Sequence, residues 1–306
     1  MSAKNEQLKF DDIIKIYLDR IQKGDGNEVE LEARFGTRGV KRTTKINFDN
    51  ILQKVLACGF TIELNNEHVL KIGSEFSDAR GITKESNVRT EIVGLPNIER
   101  YCKTNSLENI PFQFVQKNNL KVNDTPVYPV NVDDFNFRLT LNTEQVIRPG
   151  SGFYTNILEK WKDTKKYFRL MNRISLVHDI YPLRIDLTVV KESQKRGRNY
   201  VLEYTMEESG VIDAVSSYEV EIEVINEKVK DKISLDDLLK SFRKCIRYIL
   251  SGYQETNYPI SYKEISTLAN EYLNLIYDQK SDKNRLFPQN FIGPSSYTLQ
   301  IPNIIP

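Results

Sequence analysis

Polar and apolar residues alternate strictly in two short segments, Glu28-Val29-Glu30-Leu31-Glu32-Ala33-Arg34-Phe35-Gly36 near the start and Tyr218-Glu219-Val220-Glu221-Ile222-Glu223-Val224 near the end. Successive side chains of a strand point to opposite faces. Each segment therefore predicts a strand with a row of carboxylates on one face and Val29, Leu31, Val220 and Ile222 packed on the other. Between them β-like runs recur: 61–64 and 68–72 flanking Asn65-Asn66, then 87–93, 112–116, 135–141, 167–177, 183–190, 199–205 and 218–225. So many strands in one run imply a closed antiparallel barrel, whose lumen gives alternating charged residues somewhere to point.

Outside this run the spacing turns helical. Leu8, Ile13, Ile14, Tyr17 and Ile21 predict a helix over 7–23, ended by Gly24-Asp25-Gly26-Asn27, and a second spans 48–58 between Asn47 as N-cap and Gly59 as stop. Leu235, Leu238, Leu239, Phe242, Ile246, Ile249 and Leu250 mark a long amphipathic helix after Ser234, and 265–277 marks another. The fold class is thus α+β, a barrel with flanking helices. After Asp278 the chain is polar and then Pro-containing to Pro306, with no periodic face. The expected division is a domain over 1–278 and a linker over 279–306 leading to a further domain.

Composition narrows the classes. With 40% hydrophobic and 28% charged residues in 306, the chain reads as soluble and globular. Its apolar runs are far short of a membrane span, and Met1-Ser2-Ala3-Lys4-Asn5 lacks the order of a signal peptide, so a cytoplasmic location without a membrane partner is expected. Cys58, Cys102 and Cys245 are scattered, without metal-like spacing to either His68 or His178, and read as reduced structural residues. A net charge of +1 argues against a general nucleic-acid coat. No GxSxG, Walker A or GxGxxG run occurs.

Rows of carboxylates at spacing two repel one another and are costly unless cations neutralise them; a hard ion, Mg²⁺ or Mn²⁺, suits such oxygen donors. The bland reading of each row is a solvated acidic edge, but Val, Leu and Ile between the acids demand a core on the other face. Arginines recur on the β-like runs: Arg89, Arg138, Arg169, Arg173 and Arg184. Singly each reads as a surface residue. As a set on strands of one barrel they suit phosphate, which guanidinium groups grip two oxygens at a time. Lys195-Arg196-Gly197-Arg198 reads as a basic hairpin tip.

Glu30-Leu31-Glu32-Ala33-Arg34-Phe35-Gly36, Arg184-Ile185-Asp186-Leu187-Thr188 and Glu219-Val220-Glu221-Ile222-Glu223, in this order, resemble the motifs of the metal-dependent RNA 5′-triphosphatases of the triphosphate tunnel family. The likeness is greatest to the N-terminal domains of capping enzymes from large cytoplasmic DNA viruses, and covers roughly 25–225. It implies an eight-stranded tunnel with Glu30, Glu32 and Glu223 as direct metal ligands and Glu219 and Glu221 as supporting acids. Arg89, Arg138, Arg169, Arg173 and Arg184 match phosphate-binding positions, and Asp186 joins them in the catalytic set. One departure stands out: the family's Arg-x-Lys-x-Arg strand here reads Arg169-Leu170-Met171-Asn172-Arg173, so either Lys166 or Lys160 substitutes for the lost lysine or phosphate is held with fewer contacts. Glu28 extends the first row without a role to match.

The expected function is removal of the γ-phosphate from 5′-triphosphate RNA, the first step of cap formation, with the guanylyltransferase, and with it a methyltransferase, as fused partner domains beyond the tail. Glu144 and Glu159 are candidates by residue type for orienting the attacking water. Two rivals stand beside it: a tunnel-fold hydrolase of inorganic triphosphate or free nucleotide, and a noncatalytic barrel that binds polyanions as a scaffold.

Overall fold

The computed structural model describes residues 9–24, 28–36, 42–77, 83–197, 199–230 and 233–277. Eight strands carry the architecture: β1 (Val29–Phe35), β2 (Thr61–Ser77), β3 (Thr83–Val93), β4 (Gln113–Asn119), β5 (Phe137–Val146), β6 (Lys166–Val177), β7 (Leu183–Glu192) and β8 (Ser217–Val224). They pair in the order β1-β8-β7-β6-β2-β3-β4-β5, and β5 returns to β1, so the sheet closes on itself with every neighbour antiparallel. Closure satisfies both edges of every strand, which is what the alternating charges need if one face is to be enclosed.

The barrel is inverted relative to an ordinary one, with its apolar faces outward. Leu31, Ala33 and Phe35 of β1, with Leu139, Ile185 and Ile222, pack against Ile13, Ile14 and Tyr17 of α1 (Phe10–Gln22), Ile51 and Val55 of α2 (Lys45–Ala57) and, further along the chain, Phe242 and Ile249. In a second outer cluster Leu70, Ile72, Ile92, Phe114 and Phe168 pack against Ile98 and Tyr101 of α3 (Leu95–Thr104) and against Trp161, just past α4 (Gly152–Glu159). After β8 come the single turn α5 (Asn226–Val229) and the twenty-residue α6 (Leu235–Gln254), which carries Phe242 and Ile249; Ser234 caps α6 by accepting from the Asp237 amide, as expected.

Several sequence expectations are corrected. Segments 61–64 and 68–72 are one continuous strand: Asn66 adopts φ 54 in a bulge where the register against β6 shifts, a local kink and not a reversal. The N-cap of α2 is Thr44, with Asn47 as its reciprocal capping-box partner. The run 199–205 supplies no barrel strand; Asn199–Tyr200 pairs only with Lys195–Arg196 in the expected hairpin. Helices α3 and α4 were not foreseen.

The chain divides into two compact units, Met1–Pro259 and Ile260–Pro306. In the second, α7 (Tyr262–Tyr277) is described, while 279–306, where the linker was expected, lies outside the described residues. Among the described residues no helix is long and apolar enough to cross a membrane, and Cys58, Cys102 and Cys245 form no disulfide.

Candidate active site

The register of β1 against β8 sets Glu32 opposite Glu223 and Arg34 opposite Glu221, while β5 sets Asn142 opposite Glu30 and Thr140 opposite Glu32. Directly opposed residues share a face, so both acidic rows point into the lumen. There they meet a cavity of about 300 Å³. Glu30, Glu32, Glu221 and Glu223 line it from β1 and β8, and Arg89, Arg169, Arg173 and Arg184 line it from β3, β6 and β7. A larger cleft of about 820 Å³ lies outside the wall against α4, floored by Val88, Phe114 and Ile157, with only Glu75, Lys160 and Asp163 as charged lining residues.

Acids and bases are interleaved. Arg184 donates from Nε to Asp186 at 3.0 Å and from Nη2 to Glu223 at 2.5 Å. Arg169 reaches Glu192 at 2.8 Å and Glu219 at 2.6 Å, Arg89 reaches Glu91 at 2.7 Å and Glu144 at 2.9 Å, and Arg34 meets Glu221 at 2.6 Å. Lys117 of β4 contacts Glu30 and lies 3.4 Å from Glu32 and 3.1 Å from Glu144, while the Thr140 hydroxyl donates to Glu32 at 2.9 Å.

The balance is uneven. Burial, then the neighbouring Glu32, pushes Glu30 up to about 8 in spite of Lys117. Burial likewise lifts Glu223 to about 7, with Arg184 opposing and Asp186 and Glu32 adding to the rise. Burial alone would raise Glu144, yet Lys117 and Arg89 bring it down to about 2. The Glu30, Glu32 and Glu223 side of the cavity is thus short of positive charge.

Among the described residues no three carboxylates converge closely enough to hold a metal ion as the side chains stand; Glu30 contacts Lys117 and Glu223 contacts Arg184. The donor set still fits one chemically. Three oxygen-donor side chains share one face, two of them on facing positions of adjacent strands, and none is sulfur or imidazole.

No family model and no characterised protein matches at the level of sequence. Comparison of folds does find likenesses. The Mimivirus capping-enzyme triphosphatase, 18% identical, superposes with a TM-score of 0.50 over 80% of this chain and 99% of its own. The chain has the triphosphate tunnel fold. The S. pombe Pct1 RNA triphosphatase is 13% identical, with a TM-score of 0.41 over 81% of this chain and 96% of its own. Its complex with the Spt5 CTD, also 13% identical, gives 0.45 over 80% and 95%.

Within the tunnel, Arg138, Asp186 and Glu219 lie on the inner face by register but not on the cavity wall. Arg138 donates to Asn131 at 2.9 Å; Asp186 is buried behind Arg184 and accepts from the Ser175 hydroxyl at 2.6 Å; Glu219 is taken by Arg169. Glu28 is exposed ahead of β1, and Glu159 is exposed at the end of α4 and does not line the cavity. Neither lysine expected to replace the one missing at Met171 enters the tunnel. Lys166 points outward from β6, buried, donating to the Thr164 carbonyl at 2.5 Å with its ammonium 4.8 Å above the Trp161 ring, and Lys160 lines the outer cleft. Sequence reasoning missed Arg34, Lys71, Glu91, Lys117 and Tyr167, all of which line the tunnel cavity.

Proposed function

We propose that the chain is a metal-dependent RNA 5′-triphosphatase, releasing the γ-phosphate of nascent RNA as the first step of cap formation. One observation carries the reading: a cavity in the barrel lumen in which acids on β1 and β8 face arginines on β3, β6 and β7. A pure phosphate binder gains nothing from inward glutamates, whereas a hydrolase needs both, one set to hold a cation and the other to hold phosphate.

Glu30, Glu32 and Glu223 would hold Mg²⁺ or Mn²⁺, which when bound neutralises phosphoryl oxygens and draws charge off the transferring group. Arg169, Arg173 and Arg184 would grip those oxygens along β6 and β7, and Arg89 would do so from β3. Glu144 is ionised throughout the neutral range and is held between Lys117 and Arg89, so it can accept a hydrogen bond from the attacking water and aim it. A strong base is not needed, because phosphoryl transfer through a loose transition state depends mainly on positioning and electrostatics. No covalent nucleophile is used.

Phosphate release from triphosphate RNA, ATP and tripolyphosphate, each with and without Mg²⁺ or Mn²⁺, tests the reading. RNA is expected to be the preferred substrate and release to require metal. Glu30→Ala, Glu32→Ala and Glu223→Ala should each lower release by at least about a hundredfold, roughly 3 kcal/mol of barrier. Full activity in EDTA would sink the metal role; faster release from tripolyphosphate or ATP would favour the free-polyphosphate hydrolase; no release from any of the three would leave the scaffold.

A further inference from the structure

Most cations of the cavity are saturated by close carboxylates, and two are not. Among the described residues Arg173 has one ion pair, 3.8 Å to Asp186, and its buried Nε has no hydrogen-bond partner. Among the described residues Lys71 also has one, 3.4 Å to a Glu91 oxygen that Arg89 already holds at 2.7 Å.

Their positions are related by register. Lys71 of β2 is the partner of Arg169 on one side and Glu91 on the other, and Val69, two residues before it, is the partner of Met171. Met171 is in turn paired with Val190, and these three side chains form a small buried apolar cluster. Lys71 and Arg173 therefore lie on either side of an apolar rung, Lys71 on the rung of Arg169 and Arg173 on that of Glu67. At Met171, the middle of the Arg169–Arg173 stretch, β6 supplies no cation, and Lys71 of the neighbouring β2 lies one rung away, opposite Arg169. Burial first, and then the like charges of Arg89 and Arg173, lower the Lys71 pKa, with Glu91 opposing. Glu221, on the same cavity, also opposes that fall, but it is paired with Arg34 at 2.6 Å, so Lys71 and Arg173 face the cavity without a close carboxylate of their own.

Building on the triphosphatase reading, we propose that Lys71 is a direct ligand of the substrate's polyphosphate, acting with Arg173 and Arg89 and standing in from β2 for the cation that Met171 denies to β6. Its flexible stem lets a point charge enter the gap from the next strand, a geometry open to lysine because it needs no fixed fork. The structural alternative is that Lys71 only balances Glu91.

The two are separated in the full chain by Lys71→Met, Lys71→Arg and the double variant Lys71→Met/Glu91→Gln. Two readouts are used: steady-state release from triphosphate RNA, and calorimetric binding of imidotriphosphate, whose P–N–P bridges resist hydrolysis. For Lys71→Met, kcat/KM and imidotriphosphate affinity should each fall at least about tenfold, with Lys71→Arg recovering part and the double variant recovering none. Wild-type binding and turnover in Lys71→Met, or restoration by Glu91→Gln, would overturn the proposal. Should Lys71→Met fail to fold, Lys71→Gln carries the same measurements. If the wild-type chain binds imidotriphosphate but releases nothing from RNA, the triphosphatase reading fails and the binding arm alone decides Lys71; if it releases phosphate without binding imidotriphosphate, the turnover arm decides Lys71; if it does neither, both fail.

Discussion

Arg184 spans two carboxylates with different nitrogens, Asp186 through Nε and Glu223 through Nη2, a fork that a lysine's single ammonium does not reproduce. Arg184→Lys is therefore expected to lower turnover by at least about tenfold although the charge is kept, and steady-state phosphate release checks it; unchanged turnover would remove Arg184 from the reaction. Lys166 gives a prediction of another kind. Burial brings its ammonium down to about 8 from the ordinary 10.5, with Glu75 and Asp163 opposing. Between those values the folded chain binds fewer protons than the unfolded one, so Lys166 adds stability as pH rises through the window, and below it the folded state bears the cost of a buried charge. Melts from pH 7.5 to 10 should show a relative gain in the wild type that Lys166→Met lacks. Period two made Glu30, Glu32, Glu223, Arg89, Arg169, Arg173 and Arg184 legible as one-faced residues. It could not reveal Lys71, because a charge between Leu70 and Ile72 reads the same whether it faces solvent or a lumen. Lys117 was lost to a strand end drawn at 116, one residue before it, where β4 continues to Asn119.

At the scale of elements, β2 and β6 depend on a glycine. A Cβ on Gly73 would lie 2.1 Å from the ring of Tyr167, its partner across the strands, and that ring is also stacked on Tyr200 at 4.1 Å. Gly73→Ala must push the ring off its stack and is expected to cost about 1–3 kcal/mol. In a Tyr167→Ala background the same change should cost almost nothing, because the space is then open; denaturant melts of the four proteins close the cycle, and equal penalties in both backgrounds would refute the contact. Strands with strict alternation were readable as elements, as were α1, α2 and α6, whose apolar stripes are long. Helix α3 was not, although Gly94 at φ 92 followed by Leu95-Pro96 is a start signal in hindsight, and α4 has only eight residues. The Asn65-Asn66 step shows the reverse error: a residue suited to turns was used for a bulge, and only the pairing with β6 distinguishes the two.

For the molecule as a whole, α6 is the test of what belongs to the barrel. Leu238, Phe242, Cys245 and Ile249 are fully buried against the outer wall. A chain ending at Ile225 should lose several kcal/mol, as expected when large apolar side chains at roughly 1.5–3 kcal/mol each lose their cover, whereas a chain ending at Pro259 should melt and release phosphate like the full one. Thermal melts and release assays on the two truncations decide it; a normal melt for the shorter chain would show that α6 is dispensable. The seam where β1 meets β8 has a consequence in time. The first strand made is bonded to one of the last, so on the ribosome Glu32 must wait for Glu223 before the lumen exists at all. Such distant pairings close late and slowly. A chain cut between those strands and separated parts the acids of β1 from those of β8, and under the proposed function its phosphate release is expected to be lost.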